Sequence, residues 1–162
     1  MIRYANGGDV AALTVIYNQA IAAGFQTAHT RRVSIAERAE WLGQHSAEKH
    51  PVLVYERDSD VAGWLSISPY RSGRTALQRS VEISYYVHEQ HRGAGVGGKL
   101  LQEGVNISRQ LGYKVAIAII LDRNEVSVRL AERAGFRQWG HLPDVAEFDG
   151  EVCGHLYYGI QL

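Results

Sequence analysis

Four glycines crowd into six residues at Gly93-Ala94-Gly95-Val96-Gly97-Gly98. The run joins a strand-like stretch, residues 81–87, to a helical pattern over residues 96–111 that Gly112 closes as a C′ residue. Glycine takes positive φ without a Cβ penalty and lets the backbone come close to a ligand, and the first N–H groups of a helix have no partner inside it. Such a passage from strand to helix is a natural cradle for an anion. A turn with no ligand needs one or two glycines rather than four. Val115–Leu121 follows as a buried strand, so residues 81–121 read as one βαβ unit.

Three ligand classes fit the spelling. Gly93-x-Gly95-x-x-Gly98 matches a dinucleotide fingerprint, with Asp122 at the end of the next strand where a ribose-binding acid belongs. However, residues 88–92 intervene before the glycines, and only forty residues follow Asp122, too few for the rest of a doubly wound sheet. Gly93-x-x-x-x-Gly98-Lys99 matches a P-loop except at its last position, where Leu100 has no oxygen for Mg²⁺. The third spelling is Arg92-x-x-Gly95-x-Gly97.

The rest of the chain surrounds this unit with a mixed sheet. Residues 2–5 predict a short strand, and Val10, Leu13, Tyr17, Ala20 and Ile21 recur at helical spacing behind Asp9 as N-cap, ending near Ala23. Ser34-Ile-Ala-Glu37 is a capping box opening a second helix with Ile35, Trp41 and Leu42 on its apolar face. Residues 51–56 and 61–68 predict an antiparallel hairpin. Residues 69–79 carry three arginines and no period, a loop; a helix follows over residues 125–134, then strands over 136–142 and around 156–161. The order β-α-α-β-β-β-α-β-α-β-β gives an α/β fold on a mixed central sheet flanked by helices.

Composition narrows the function classes. Of 162 residues, 46% are hydrophobic and 21% charged, enough apolar material for one packed domain over residues 1–162. Seventeen Lys+Arg balance seventeen Asp+Glu, so no field of one sign points to nucleic acid or to an acidic membrane, and any anion site is local. No apolar run approaches the roughly 20 residues that span a bilayer. The single cysteine, Cys153, and an N-terminus without the basic-then-apolar layout of a signal peptide lead to the expectation of a cytoplasmic protein.

Arg92-x-x-Gly95-x-Gly97, together with Asn124-x-x-Ser127-x-x-Leu130-x-x-x-x-Gly135-Phe136, resembles the GNAT superfamily of acetyl-CoA-dependent N-acetyltransferases over nearly the whole chain. More narrowly, residues 10–18, EKHPVLVYE at 48–56, and residues 80–88 look like the phosphinothricin acetyltransferase branch, which acetylates the α-amine of small amino acids. The resemblance implies a single N-acetyltransferase domain, a homodimer, acetyl-CoA as co-substrate and no metal. It places the CoA pyrophosphate on the backbone of Arg92, Gly93, Ala94, Gly95, Val96, Gly97 and Gly98, and pantetheine along Tyr86, Val87 and His88, where the strand splays from its neighbour; one of those N–H groups would polarise the thioester carbonyl. Asn124 and Ser127 would hold pantetheine near the sulfur, Asn124 serving also as an N-cap.

Glu82 is the candidate general base and a substrate contact. It interrupts an apolar strand, where a carboxylate is costly unless solvated or functional, and on alternation it shares a face with Ser84 and Tyr86. A carboxylate on a wet strand face is the plainer alternative. Ala131 stands where the superfamily often has Tyr and the branch His as an acid for the departing thiolate, leaving Ser127, Tyr86 or water. Arg71 and Arg74 suit a carboxylate, phosphinate or sulfone oxygen pair, although solvated loop arginines have the same spelling. Two other features depart from the branch: Gly24-Phe-Gln-Thr-Ala-His29 replaces its Asn-Thr-Thr segment, and Glu147-Phe-Asp-Gly-Glu-Val-Cys153 replaces a Lys-Phe-Gly-x-Trp-x-Asp stretch. His88 and His91 read as solvated loop residues, and Trp41, Trp64 and Trp139 as packing. The expected activity is acetyl transfer to a small amino acid or analogue of the phosphinothricin or methionine sulfoximine/sulfone kind. Another amine acceptor (a peptide N-terminus, a polyamine, an antibiotic) or a non-catalytic acyl-CoA sensor stays open.

Overall fold

The polar stretch at residues 57–60 turns the chain as expected, and the two strands it joins set the two faces of a seven-stranded sheet. A computed structural model describes residues 1–162. Its strands are β1 (Ile2–Tyr4), β2 (Val52–Arg57), β3 (Asp60–Pro69), β4 (Ser80–Val87), β5 (Val115–Leu121), β6 (Arg137–Phe148) and β7 (Glu151–Gln161). Its helices are α1 (Val10–Ala23), α2 (Ile35–Gly43), α3 (Val96–Gln110) and α4 (Glu125–Arg133). The spatial order is β1-β2-β3-β4-β5-β7-β6. Only β4 and β5 run parallel, joined by the α3 crossover.

Alternation decides what each face buries. Leu65 and Ile67 of β3, with Val81 and Ile83 of β4, meet Val96, Leu100, Leu101 and Val105 of α3 in one core cluster. On the opposite face Val52, Val54 and Trp64 meet Leu13, Ile16 and Tyr17 of α1. Glu82, Ser84 and Tyr86 alternate with Val81 and Ile83, and so turn toward the α1–α2 side.

Several details differ from the sequence reading. Strands β6 and β7 run to the tight turn at Asp149 and Gly150, well past the expected ends, because residues 146–148 pair with 151–153 across a hairpin. Ile35 is 59% exposed, at the first residue of α2 beyond the reach of the sheet. The inner stripe of α2 carries Arg38 instead, buried with its Cζ 4.3 Å from the Tyr17 ring centre and 4.6 Å from that of Trp41. Trp64 is core and Trp41 packs on it at 5.5 Å, but Trp139 is 49% exposed. Residues 69–79 are not wholly irregular, since Thr75–Leu77 form a 3₁₀ turn.

Asp9 precedes α1 without capping it. Its carboxylate accepts from Arg3 Nη1 and Nη2 (2.8 and 2.9 Å) and from the Asn6 N–H (2.8 Å), while Asn6 Oδ1 caps Gly8 N–H. The Arg3 guanidinium holds the Asp9 carboxyl below its usual range, the Asn6 N–H assisting and burial opposing. A depressed carboxyl pKa adds stability that is present above the unfolded value and is lost as pH falls through the folded one. Asp9→Asn therefore costs about 1–3 kcal/mol at pH 7, and urea titrations of both proteins should converge as pH drops below about 4.

Candidate active site

The β4–β5 ladder is short. Only Ser80–Glu82 pairs with Val115–Ile117. Beyond that point β4 stays on β3 as far as Val87 opposite Gly63, and β5 stays on β7 as far as Leu121 opposite His155, so the two strands part. A cavity of about 310 Å³ fills the wedge, walled by residues 82–86 and 118–121 and by Tyr17, Thr27, His29, Asn124, Ser127 and His155.

Glu82 sits at the closed end of the wedge, the last β4 residue in the ladder. No protein group hydrogen-bonds its carboxylate, and burial raises its pKa above the ordinary carboxylate range. An unpaired carboxylate lining a cavity is suited to take a proton from a ligand. Tyr86, four residues along, packs on Trp64 (4.7 Å) and Tyr17 (4.9 Å), and burial with the Tyr17 neighbour pushes its hydroxyl well above the usual phenol range. Such a phenol donates a hydrogen bond but is a poor acid toward a thiolate, whose ordinary pKa is about 8.5.

The glycine loop opens onto the same end of the sheet. Gly93 (φ +77°) and Gly95 (φ +78°) lie in the left-handed region, and Gly95 is the residue from which α3 starts. The first helical bond runs from Lys99 N–H to Gly95 O at 3.2 Å, which leaves the N–H groups of Val96, Gly97 and Gly98 ahead of it. A Cβ on Gly97 would stand 3.3 Å from Leu130 Cδ1 and 3.5 Å from Val87 Cγ2, so the backbone is tightly seated between α4 and β4. Asn124 Oδ1 accepts from Ser127 N–H (3.2 Å) as the N-cap of α4, and its Nδ2 makes no protein hydrogen bond. Bared helix N–H groups beside two parted strands, with an amide donor across the gap, fit a long ligand with a pyrophosphate at one end and amides along its length, as acetyl-CoA has.

The outlying candidates are placed differently. Arg92 donates to Gln26 Oε1 (3.3 Å), tying the loop to residues 24–29. His88 is half-buried rather than solvated, its Nε2 3.1 Å from Gln19 Nε2 and its N–H on Ala62 O. Arg71 and Arg74 do not join Glu82; they line a separate cavity with Lys49, His50 and Tyr113, near the C-terminal end of α3. The structure adds residues that the sequence did not single out. Tyr17 O–H lies 2.9 Å from Thr27 Oγ1 and 2.9 Å from His29 Nδ1, so the segment that departs from the branch forms one wall of the Glu82 cavity. Phe148, at the β6–β7 tip, packs on Phe25 (4.9 Å), and Arg123 lies over Phe25 while pairing with Glu151. Both departures from the branch therefore meet beside the cavity.

Comparison with known proteins agrees with this architecture. The acetyltransferase (GNAT) family model matches residues 15–136. An L-methionine sulfoximine/L-methionine sulfone acetyltransferase of Salmonella typhimurium is 35% identical over 161 residues, covering 99% of this chain and 94% of that one. The L-amino acid N-acyltransferase MnaT of Escherichia coli is 32% identical over 161 residues, 99% and 93% of the two chains. A crystal structure of a GNAT superfamily phosphinothricin acetyltransferase from Sinorhizobium meliloti in complex with acetyl-CoA superposes with a TM-score of 0.95 at 28% identity, over 100% of this chain and 88% of that one. The split sheet, the bared N-terminus of α3 and these matches together make this chain a member of the acetyltransferase (GNAT) family, enzymes that take their acetyl group from acetyl-CoA.

Proposed function

We propose that the enzyme acetylates the α-amine of a small amino acid or close analogue of the phosphinothricin or methionine sulfoximine/sulfone type, with Glu82 as general base. The observation that carries this reading is the unpaired, half-buried Glu82 carboxylate at the closed end of the wedge between β4 and β5. An amine reacts only when neutral, and a carboxylate whose pKa is raised by burial is a better base than an exposed one. Bound acetyl-CoA supplies a thioester carbonyl and a thiolate leaving group. The N–H groups of Val96, Gly97 and Gly98 bind the pyrophosphate, with Arg92, Gly93, Ala94 and Gly95 shaping their approach. The main chain of Tyr86, Val87 and His88, freed from β5, aligns the pantetheine arm, and Asn124 and Ser127 hold it from α4. A cavity of about 310 Å³ is at the small end for ligand sites and suits an amino acid better than a folded peptide. Tyr17, Thr27 and His29 are polar groups available to the acceptor there. Arg71 and Arg74 remain a neighbouring anion-binding pair, at the far end of the segment that leads into β4.

The reading includes a homodimer in the cytoplasm. Trp139 and Leu142 are 49 and 42% exposed on one face of the β6–β7 hairpin, an apolar surface that a second copy would cover, bringing its hairpin tip beside this chain's cavity. Light scattering at micromolar concentration tests it, and a monomer removes this part. For the activity, thiol release from acetyl-CoA is followed with a panel of amino acids, methionine sulfoximine, methionine sulfone, phosphinothricin, a polyamine and a short peptide, all in EDTA. Turnover confined to the free amino acids and analogues is the expected result. Turnover of only the polyamine or peptide overturns the substrate class, and CoA binding without turnover of any amine makes the protein a sensor.

A further inference from the structure

Glu82 has a neighbour across the sheet that the acetyl-transfer reading leaves unused. In the β3–β4 register Ser68 stands directly opposite Glu82, and the two side chains share the face turned toward α1 and α2. Directly opposed side chains in an antiparallel pair have their Cβ atoms about 4.5–5.5 Å apart. The Ser68 hydroxyl lies 3.2 Å from His45 Nε2, just beyond the end of α2, and His45 Nδ1 lies 2.9 Å from the carbonyl oxygen of Trp41. A carbonyl only accepts, so Nδ1 carries the hydrogen and the neutral ring presents Nε2 as an acceptor to the Ser68 O–H. His45 also lines a groove of about 390 Å³, with Tyr4, Asn6, Ala39 and Pro51, on the outer side of α2 and away from the Glu82 cavity. Ser68 thus stands between Glu82, its cross-strand neighbour, and His45, its hydrogen-bond partner, although the Glu82 carboxylate makes no hydrogen bond to it in this structure.

We propose that Ser68 and His45 form a proton exit from Glu82, a relay that drains the proton taken from the substrate ammonium into the groove behind α2. The proposal rests on the reading of Glu82 as general base. The ammonium N–H bond breaks toward a Glu82 carboxylate oxygen; the Glu82 side chain then turns to Ser68, and its O–H gives its proton to Ser68 Oγ as the Ser68 O–H proton passes to His45 Nε2. Both N–H groups of the imidazolium face protein acceptors, so the ring turns off Ser68 to give its Nε2 proton to water in the groove, and rotation of the Ser68 hydroxyl resets the chain. No oxidant or further reactant enters. Such a path matters when amine and acetyl-CoA together cover the mouth of the wedge, since no protein group hydrogen-bonds the Glu82 carboxylate.

The surroundings keep His45 an acceptor that does not hold its proton. Burial lowers its pKa, the Trp41 carbonyl opposes that, and the buried Arg38 guanidinium of α2 lowers it further. His50, ahead of β2, is the other titratable group acting on it, while Tyr17 of α1 and Tyr86 of β4 adjoin Arg38. Burial moves Glu82 up as it moves His45 down, which brings donor and acceptor closer in proton affinity.

The test measures kcat, KM for acetyl-CoA and imidazole rescue for Ser68→Ala, His45→Ala and the double variant, with Glu82→Gln alongside and thermal melts to check folding. Either single change is expected to lower kcat by about tenfold with KM for acetyl-CoA unchanged, and the double variant should be no slower than either. Imidazole added to His45→Ala refills the site from the groove and restores kcat, whereas Ser68→Ala and the double variant gain nothing. Single variants within twofold of wild type, losses that multiply in the double variant, or a slow His45→Ala that imidazole leaves slow each overturn the relay. If His45→Ala does not fold, the kcat and KM of Ser68→Ala decide alone. A fully active Glu82→Gln instead overturns the general-base reading, while an impaired one beside unaffected Ser68 and His45 variants removes the relay only.

Discussion

Glu82→Gln should lower kcat/KM by about 10² to 10⁴ and leave CoA affinity nearly unchanged, the mark of a lost general base. The pH dependence distinguishes this from a packing defect. Wild-type activity should fall at low pH as Glu82 takes up a proton, at a pH above the ordinary carboxylate range because burial raises its pKa. The deficit of the variant is therefore largest near neutrality. It shrinks at low pH, where the wild type loses its base, and again at high pH, where an α-amine with a pKa of about 8 is already neutral. A lysine-like amine near 10.4 would keep the deficit well above pH 8, so the same profile reports on the acceptor. Stability should move the opposite way. A carboxyl whose folded pKa is raised binds more protons folded than unfolded, so the wild type loses stability as pH rises from its unfolded value through its folded one. Glu82→Gln should then melt higher than wild type at pH 8, with the difference gone at pH 4. Rates from pH 6 to 9.5 and melts at the two pH values are the measurements, and equal rates throughout would leave Glu82 an inert strand carboxylate.

The parts of this molecule legible in its sequence are those fixed by local chemistry. The Ser34–Glu37 capping box forms reciprocally, with Glu37 N–H on Ser34 Oγ and Ser34 N–H on Glu37 Oε2. Gly112 and Gly135 end their helices at positive φ, and strict alternation put Glu82 on the face opposite Val81 and Ile83. What the sequence hid depends on partners distant along the chain. Ile35 reads as apolar face, yet only the position of the sheet shows that Arg38 points inward and is enclosed by Tyr17, Trp41 and Trp64. Asp9 reads as an N-cap until Arg3 claims both its oxygens. The wedge between β4 and β5 was legible only by family resemblance, because it follows from each strand keeping its other neighbour, which neither strand's own sequence records. Ser68 and His45 gave no signal at all: a serine in an alternating strand and a histidine past a helix end acquire meaning only when the register sets Ser68 beside Glu82.

Gly97→Val should weaken acetyl-CoA binding by about 5- to 150-fold, the equivalent of the roughly 1–3 kcal/mol that overpacking a filled site costs. Gly97 is the second residue of α3, and its missing side chain is what lets the helix start sit against α4 and β4. Even a methyl group there comes within 3.3 Å of Leu130 Cδ1, and valine adds two more carbons toward Val87 and Tyr85. In the free protein the helix start can lift by a few tenths of an ångström to relieve the crowding. On the proposed placement the N–H groups of Val96, Gly97 and Gly98 reach the pyrophosphate while Val87 walls the pantetheine, so with ligand bound the helix start cannot lift and the strain falls on affinity more than on the fold. Gly95→Ala gives the comparison: nothing lies within 4 Å of its added Cβ, but φ is +78°, so the cost is backbone strain of about 1 kcal/mol in the folded protein. Calorimetry should therefore show a large loss of affinity with a small loss of melting temperature for Gly97→Val, and the reverse ordering for Gly95→Ala. Normal CoA affinity in Gly97→Val would move the pyrophosphate site away from the start of α3.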